Sequence, residues 1–236
     1  MRIGSLIELS IQGDLRFASH LDSLRLIERL VHRADLPVHY SQGYNPRPAI
    51  SLPMPRPVGV AARRDPLVVE LDEPVAFDEL PARMNRTAPP GLCVRAARAM
   101  PSPKAPRPLA ASYALEVEQD EDAVRQHLAG LLRQDAWPVQ RRVKNNKRKG
   151  QWRSRTLDLR PLVDGLTLRQ QSLQFRLVRQ GDTWARPGEV LGLLGLDERR
   201  DLARLVRLSV DLQIEHPPQG AGRSPDAARV KRDHSS

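Results

Sequence analysis

Between Pro101 and Ala110 the chain reads PSPKAPRPLA, with prolines at 101, 103, 106 and 108. Proline fixes φ and has no amide proton, so such a stretch suits neither a helix interior nor the middle of a sheet. It reads as a linker. It divides the 236 residues into two stretches, each the size of one small domain.

The same order of elements is legible on both sides. Arg2 to Ser10 alternates like a strand, Gly13-Asp14 is a turn signal, and Leu15-Arg16-Phe17 continues as a short strand. Ser19 offers an N-cap for a helix from His20 to Ala34, in which Leu21, Leu24, Ile27, Leu30, Val31 and Ala34 recur at helical spacing. Pro37 ends it. Next come a Gly- and Pro-rich loop, Tyr40 to Pro48, an extended run Ala49 to Leu52, a strand Leu67 to Leu71, a helix Phe77 to Thr87 and a strand Leu92 to Ala99. After the linker come a strand Tyr113 to Glu118, a helix Asp122 to Gln134 and a strand Pro138 to Val143. Strands near Thr156 to Leu159 and Ser172 to Val178 succeed them, then a short helix after Pro187 and a strand Leu205 to Ile214. The expectation is an α+β fold of two tandem ferredoxin-like (βαββαβ) halves. They occupy residues 1–100 and 112–214, joined by the linker 101–111. From 215 to 236 the tail has no apolar face to bury and is expected to be disordered.

The formal net charge is +10 and the pI about 10.7, the electrostatic footprint of a protein that meets phosphate, although arginine-rich composition alone also produces it. Mean hydropathy is -0.49, and no apolar run approaches the ~20 residues of a membrane-spanning helix. The N-terminus lacks the h-region of a secretory signal, so a cytoplasmic location without membrane contact is expected. Cys93 is the lone cysteine, so a disulfide framework and a cysteine-based metal or iron–sulfur site within one chain are both excluded.

Polar residues of the kind that meet ligands cluster between Gly13 and Gly59. Asp22, Arg25 and Arg29 fall at i, i+3 and i+7 on one helix face, where they form either a solvated charged face or a cationic ridge. Arg16 precedes the helix. His20 stands at its start, where free amides favour an anion and an imidazole has the pKa of a general acid or base. No nucleophile or second base accompanies it at a diagnostic spacing, so it is a candidate and no more. His20, His39 and Asp22 form no compact metal motif, and no metal or cofactor is expected in this chain. In the loop, Gly43 permits a positive φ, and Pro46 and Pro48 stiffen the chain beyond it. Tyr40, Gln42, Tyr44, Asn45 and Arg47, with Ser51 just beyond, then form a preordered surface of the type that meets unstacked RNA bases. The sequence holds neither GxGxxG nor GxxxxGK[ST].

A second basic element comprises Arg141, Arg142, Lys144, Lys147, Arg148, Lys149, Arg153 and Arg155, with Trp152 inside it and no acidic residue between. A plain charge run is usually a solvated loop. Flanking strands and an interleaved aromatic point instead to a hairpin tip that tracks phosphates.

The blocks GDLRFASHLD, LPVHYSQGYNPRPAIS and the basic segment ending TLDLRPLV resemble the radical SAM-linked, or radical SAM-associated, protein family of bacteria, a domain of unknown function. The resemblance runs from about Ile3 to Leu212 and implies an RNA or translation context. It also implies a separate partner protein carrying an iron–sulfur cluster, S-adenosylmethionine and cobalamin. This chain has no radical SAM half, and Cys93 alone cannot hold such a cluster. The tandem order of elements is also similar to the RAMP proteins of CRISPR systems, some of which cleave RNA; that likeness is of fold only. Taken together, these features favour an RNA-binding or substrate-presenting accessory to a radical SAM enzyme. The rivals are a metal-independent endoribonuclease using His20 with Tyr40 or Arg25, and an adaptor that binds only protein.

Overall fold

The alternation of Ile7, Leu9 and Ile11 with their neighbours does build a strand with one face turned inward, β1 (Ile3–Ile11). The computed structural model describes residues 2–118, 121–144 and 152–215. After β1 come helix α1 (His20–Arg33), the two-residue strand β2 (Ile50–Ser51), β3 (Ala61–Leu71), α2 (Leu80–Asn85) and β4 (Leu92–Met100). The second stretch runs β5 (Arg107–Glu116), α3 (Glu121–Leu132), β6 (Pro138–Lys144), β7 (Trp152–Asp158), β8 (Val163–Arg169), β9 (Ser172–Val178), α4 (Pro187–Leu193) and β10 (Val206–Gln213).

One large mixed sheet crosses the whole chain in the order β4-β1-β3-β10-β5-β9-β8, with β2 paired to β3 and β6-β7 forming a separate two-stranded sheet. Among the described residues the strand pairs are antiparallel except β10 on β3, which is parallel and joins Val206 to Ala61 and Arg207 to Ala62. The two stretches thus share a single sheet, and β10, the last strand among the described residues, stitches them together.

Helices α1 to α4 cover one face of that sheet. Ile27, Leu30 and Val31 of α1 and Leu80 and Met84 of α2 pack on Ile7, Leu9, Leu67, Val69 and Leu71. Val124, Leu128 and Leu131 of α3 and Val190 and Leu191 of α4 pack on Tyr113, Leu115, Leu173, Phe175 and Leu177. Each fully buried Leu, Ile or Phe contributes ~1.5–3 kcal/mol of transfer free energy. Ser19 caps α1, its Oγ accepting from the Asp22 amide at 3.2 Å. Leu21 does not join the buried stripe: it is 64% exposed.

Several elements differ from the sequence pattern. Gly13–Phe17 is a 3-10 helix, not a strand. β3 begins at Ala61 rather than Leu67, because the charged run Arg63-Arg64-Asp65 and Pro66 masks its first half. β5 begins inside the proline-rich stretch, at Arg107; Pro108 is tolerated because β9 pairs only from Ala110 onward. The runs at 138–143 and 156–159 pair with one another off the main sheet. Val163–Arg169 takes the sheet position expected for them. Of the tail, only Glu215 lies within the described residues, bonded to Lys104 at 2.8 Å. Among the described residues no helix is long and apolar enough to cross a membrane.

Candidate nucleic-acid interface

The registers place the polar segments of the first stretch at opposite ends of the sheet. Ile11 pairs with Ala62 and Leu92, and the 3-10 helix and His20 come directly after that end. Leu71 bridges Val38 at the other end, from which the loop Tyr40–Pro48 projects. In the same direction lie Arg107 and Gln213, paired with each other, and Val178. Proximity in sequence groups these segments; the fold separates them.

At the first end, Ser19 Oγ donates to Asp22 Oδ2 at 2.7 Å, and Asp22 Oδ1 meets Arg25 at 3.4 Å. Asp22 and Arg25 are therefore engaged with each other and with the cap, and all three side chains are largely exposed or at the surface, where such pairs contribute little. Arg29 lies on the exposed side of the same helix. The Arg16 guanidinium lies 4.9 Å over the Phe17 ring. Arg16 Nε and His20 Nδ1 are buried with no hydrogen-bond partner among the described residues. No group of three or more His, Cys, Asp or Glu that could hold a metal exists among the described residues.

The loop at the other end is closed on itself. Tyr40 bridges Pro48, the Ser41 amide donates to the Arg47 carbonyl at 2.8 Å, and the Arg47 amide donates to Ser41 Oγ at 3.0 Å. Gly43, at φ +147°, makes the tip. Tyr44 is fully exposed, Tyr40 partly so, and Gln42, Asn45 and Arg47 face solvent. Ser51 is half-buried in β2, opposite Val68. His39 anchors the loop base through Asp72 Oδ1 at 2.7 Å.

The β6-β7 hairpin stands beyond that same end. Val139 and Leu157 pack on the core, and their face also carries Arg141, Val143, Arg153 and Arg155. The opposite face carries Gln140, Arg142, Trp152, Ser154 and Thr156. The Arg142 guanidinium lies 5.5 Å from the centroid of the Trp152 ring, which is 53% exposed. Arg141 clamps the hairpin to α4 by two bonds to Glu189, at 2.8 and 2.5 Å, and one to the Trp184 carbonyl at 3.0 Å. Arg141 is therefore an anchor, not a free phosphate contact. Lys144 ends β6 opposite Trp152 in register. Lys147, Arg148 and Lys149 lie outside the described residues.

Among the described residues, the sheet face away from the helices offers no stacking platform. Tyr113 and Phe175, the aromatics of the main-sheet strands, both point to the core, where their rings stack 5.4 Å apart. Two cations of the open face are compensated: Arg64 forks onto Glu8 at 2.9 and 3.0 Å, and Arg176 meets Asp211 at 2.6 Å and Asp164 at 3.4 Å. Those hydrogen bonds raise both arginine pKa values.

Sequence reasoning missed the buried charge cluster at the seam. Arg207 of β10 donates to Asp65 of β3 at 2.8 and 2.7 Å and to the Met54 carbonyl at 3.0 Å. Arg56 lies 3.7 Å from the same carboxylate and donates to the carbonyls of Arg16, Val60 and Leu15. Burial alone would lower the Arg207 pKa, but the Asp65 charge and bonds outweigh it and raise it; for Arg56 burial wins and lowers it. Burial also raises the Tyr113 pKa against the opposing pull of Arg207. No local signal marks it: Asp65 follows Arg63 and Arg64, so the sequence reads it as part of a solvated charged run, and its burial follows from β10 pairing beside β3.

A family model described as "Uncharacterized protein conserved in bacteria (DUF2344)" matches residues 6–187. The chain belongs to that family. No curated protein matches it. The match spans both ends of the sheet and the hairpin.

Proposed function

We propose that the chain is an RNA-binding accessory protein whose contact surface is the β6-β7 hairpin. The observation that carries this reading is the outer hairpin face, where Arg142 and the half-exposed Trp152 form an aromatic–cation platform. Gln140, Ser154 and Thr156 of that face are uncharged. Asp158, the acid at the hairpin base, is engaged by the amides of Trp137 and Arg160 at 2.7 and 3.0 Å. A base stacked on such a platform contributes ~1–3 kcal/mol, and arginines along the backbone supply the salt-dependent remainder. The Tyr44 loop projects from the same end of the sheet and adds a second aromatic. The test is a fluorescence-anisotropy titration of a labelled RNA from low to physiological salt. Affinity falling linearly in log salt supports the reading; no affinity at low salt overturns it.

We further read each half as a ferredoxin-like unit. Support comes from the strand orders β4-β1-β3-β2 and β10-β5-β9-β8, with β6-β7 as an insertion after α3. A separate radical SAM enzyme as partner, with its iron–sulfur cluster, S-adenosylmethionine and cobalamin, is proposed on the resemblance of the SHLD and YSQGYNP blocks. Co-purification that survives nuclease treatment tests it.

One observation favours the endoribonuclease as a second reading: His20 Nδ1 is buried without a partner among the described residues, at the start of α1 and close in sequence to Arg16. RNA turnover lost in His20→Ala with binding retained would establish it.

A further inference from the structure

The inner face of the hairpin lines an open groove that no described element of the chain fills. One wall is Val143, Arg155 and Leu157; the other is the segment Asp182–Arg186 with Trp184. The groove encloses about 360 Å³, within the range of small-molecule sites. Its geometry is fixed from both sides, since Arg141 grips Glu189 and the Trp184 carbonyl across its floor.

The chemistry of the walls selects the occupant. Val143, Leu157 and Trp184 offer apolar and aromatic surface to a flat ring. Arg155 and Arg186 have no acidic partner among the described residues and line the same groove. Asp182 does not cancel them, because it is held by Arg179 at 2.5 Å and approached by Arg107 at 4.0 Å. A ring flanked by cations that fork onto oxygens is the chemistry of a nucleotide whose base has left its stack.

Other clefts lack this combination. The one between Asp35 and Val75 has its cation, Arg83, paired with Asp35 at 3.7 Å. In the one at Leu115 and Leu196, Arg204 is paired with Asp201 at 3.3 Å and Glu118 at 2.9 Å.

We propose that the groove between the hairpin and Trp184 takes one unstacked base of a single-stranded nucleic acid, with its flanking phosphates on Arg155 and Arg186. The proposal rests on the hairpin being the nucleic-acid surface and adds that the ligand is a single strand. A duplex keeps its bases stacked and reaches only the outer face.

The test uses the full chain and one sequence in three forms, single-stranded RNA, single-stranded DNA and duplex RNA, each with a 2-aminopurine reporter. Both single strands are expected to bind at least about tenfold tighter than the duplex. The R155E/R186E double variant, altered only at surface guanidiniums, is expected to lose that preference and the reporter change. Arg142→Ala is expected to weaken single strand and duplex alike. If single strand and duplex bind equally, or if R155E/R186E binds like the parent while Arg142→Ala weakens both, the groove is overturned and the hairpin surface stands. If none of the three binds at low salt, the hairpin surface falls and the groove with it.

Discussion

Arg207 and Asp65, 142 positions apart in sequence, form a two-pronged ion pair whose side chains are 1% and 4% exposed. The pair ties β10 to β3, at the parallel junction of the sheet. With Arg56 beside it, one carboxylate serves two buried guanidiniums.

Asp65→Asn should therefore be far worse than its near-identical shape implies. Breaking a buried pair by removing one partner costs about 3–5 kcal/mol, and here two cations lose their counter-ion. Urea denaturation of the variant against the parent reads that loss. The double variant Asp65→Leu/Arg207→Met should be more stable than Asp65→Leu alone, because the most buried orphan charge is gone. Equal stability of the two would show that the pair is not the source of the effect.

Tyr113 predicts an alkaline limit. Burial raises its folded pKa above the unfolded value near ~10, so the folded state holds the proton longer. Its contribution is fully present below the unfolded value, and stability falls as pH rises from there through the folded value. Tyr113→Phe should flatten the decline in melting temperature over that window.

Gly91 sits at φ +87°, and a Cβ there would lie 2.6 Å from the Gln12 carbonyl oxygen. That oxygen is not free to move: the Gln12 amide donates to the Gly91 carbonyl at 2.8 Å. Gly91→Ala should cost about 1–3 kcal/mol, read by thermal denaturation. Gly130→Ala, in open space on α3, should be neutral or stabilising by up to about 1 kcal/mol.

His20 lies at the end of the sheet away from the hairpin. His20→Ala should leave RNA affinity within about twofold of the parent, since distant sites act independently. Trp152→Ala should weaken binding by about 1–3 kcal/mol with little change in salt slope, whereas Arg142→Ala should reduce the slope by about one. An anisotropy salt series on the three variants separates the roles.

The sequence carried the elements that rest on local signals: Ser19 before the stripe Ile27-Leu30-Val31, Gly43 at the loop tip, and the basic hairpin around Trp152. What it hid were long-range facts. Nothing local tells that 138–144 pairs only with 152–158 while 163–169 takes the sheet position, because both runs alternate and differ only in what they pack against. A strict period of two turns Arg207 toward solvent along with Ser209 and Asp211. A register shift between Arg207 and Ser209 breaks that period, and Asp65 draws the guanidinium inward. His20 and Tyr40, paired in the endoribonuclease reading, lie apart for a simpler reason: α1 is 14 residues long, about 21 Å, and carries the chain from one end of the sheet to the other.

The position of β10 between β3 and β5 sets an order of assembly. During synthesis the Ala61–Ala62 end of β3, with Asp65 and Arg56 already made, waits for Val206 and Arg207 of β10. Until then the first stretch carries an edge covered only at Val68 and Val69 by β2, and an incomplete charge cluster, the condition in which strands seek wrong partners. Closure of the sheet is thus a late, non-local event. A chain cut before β10 would lose the junction of both stretches, not merely its final strand.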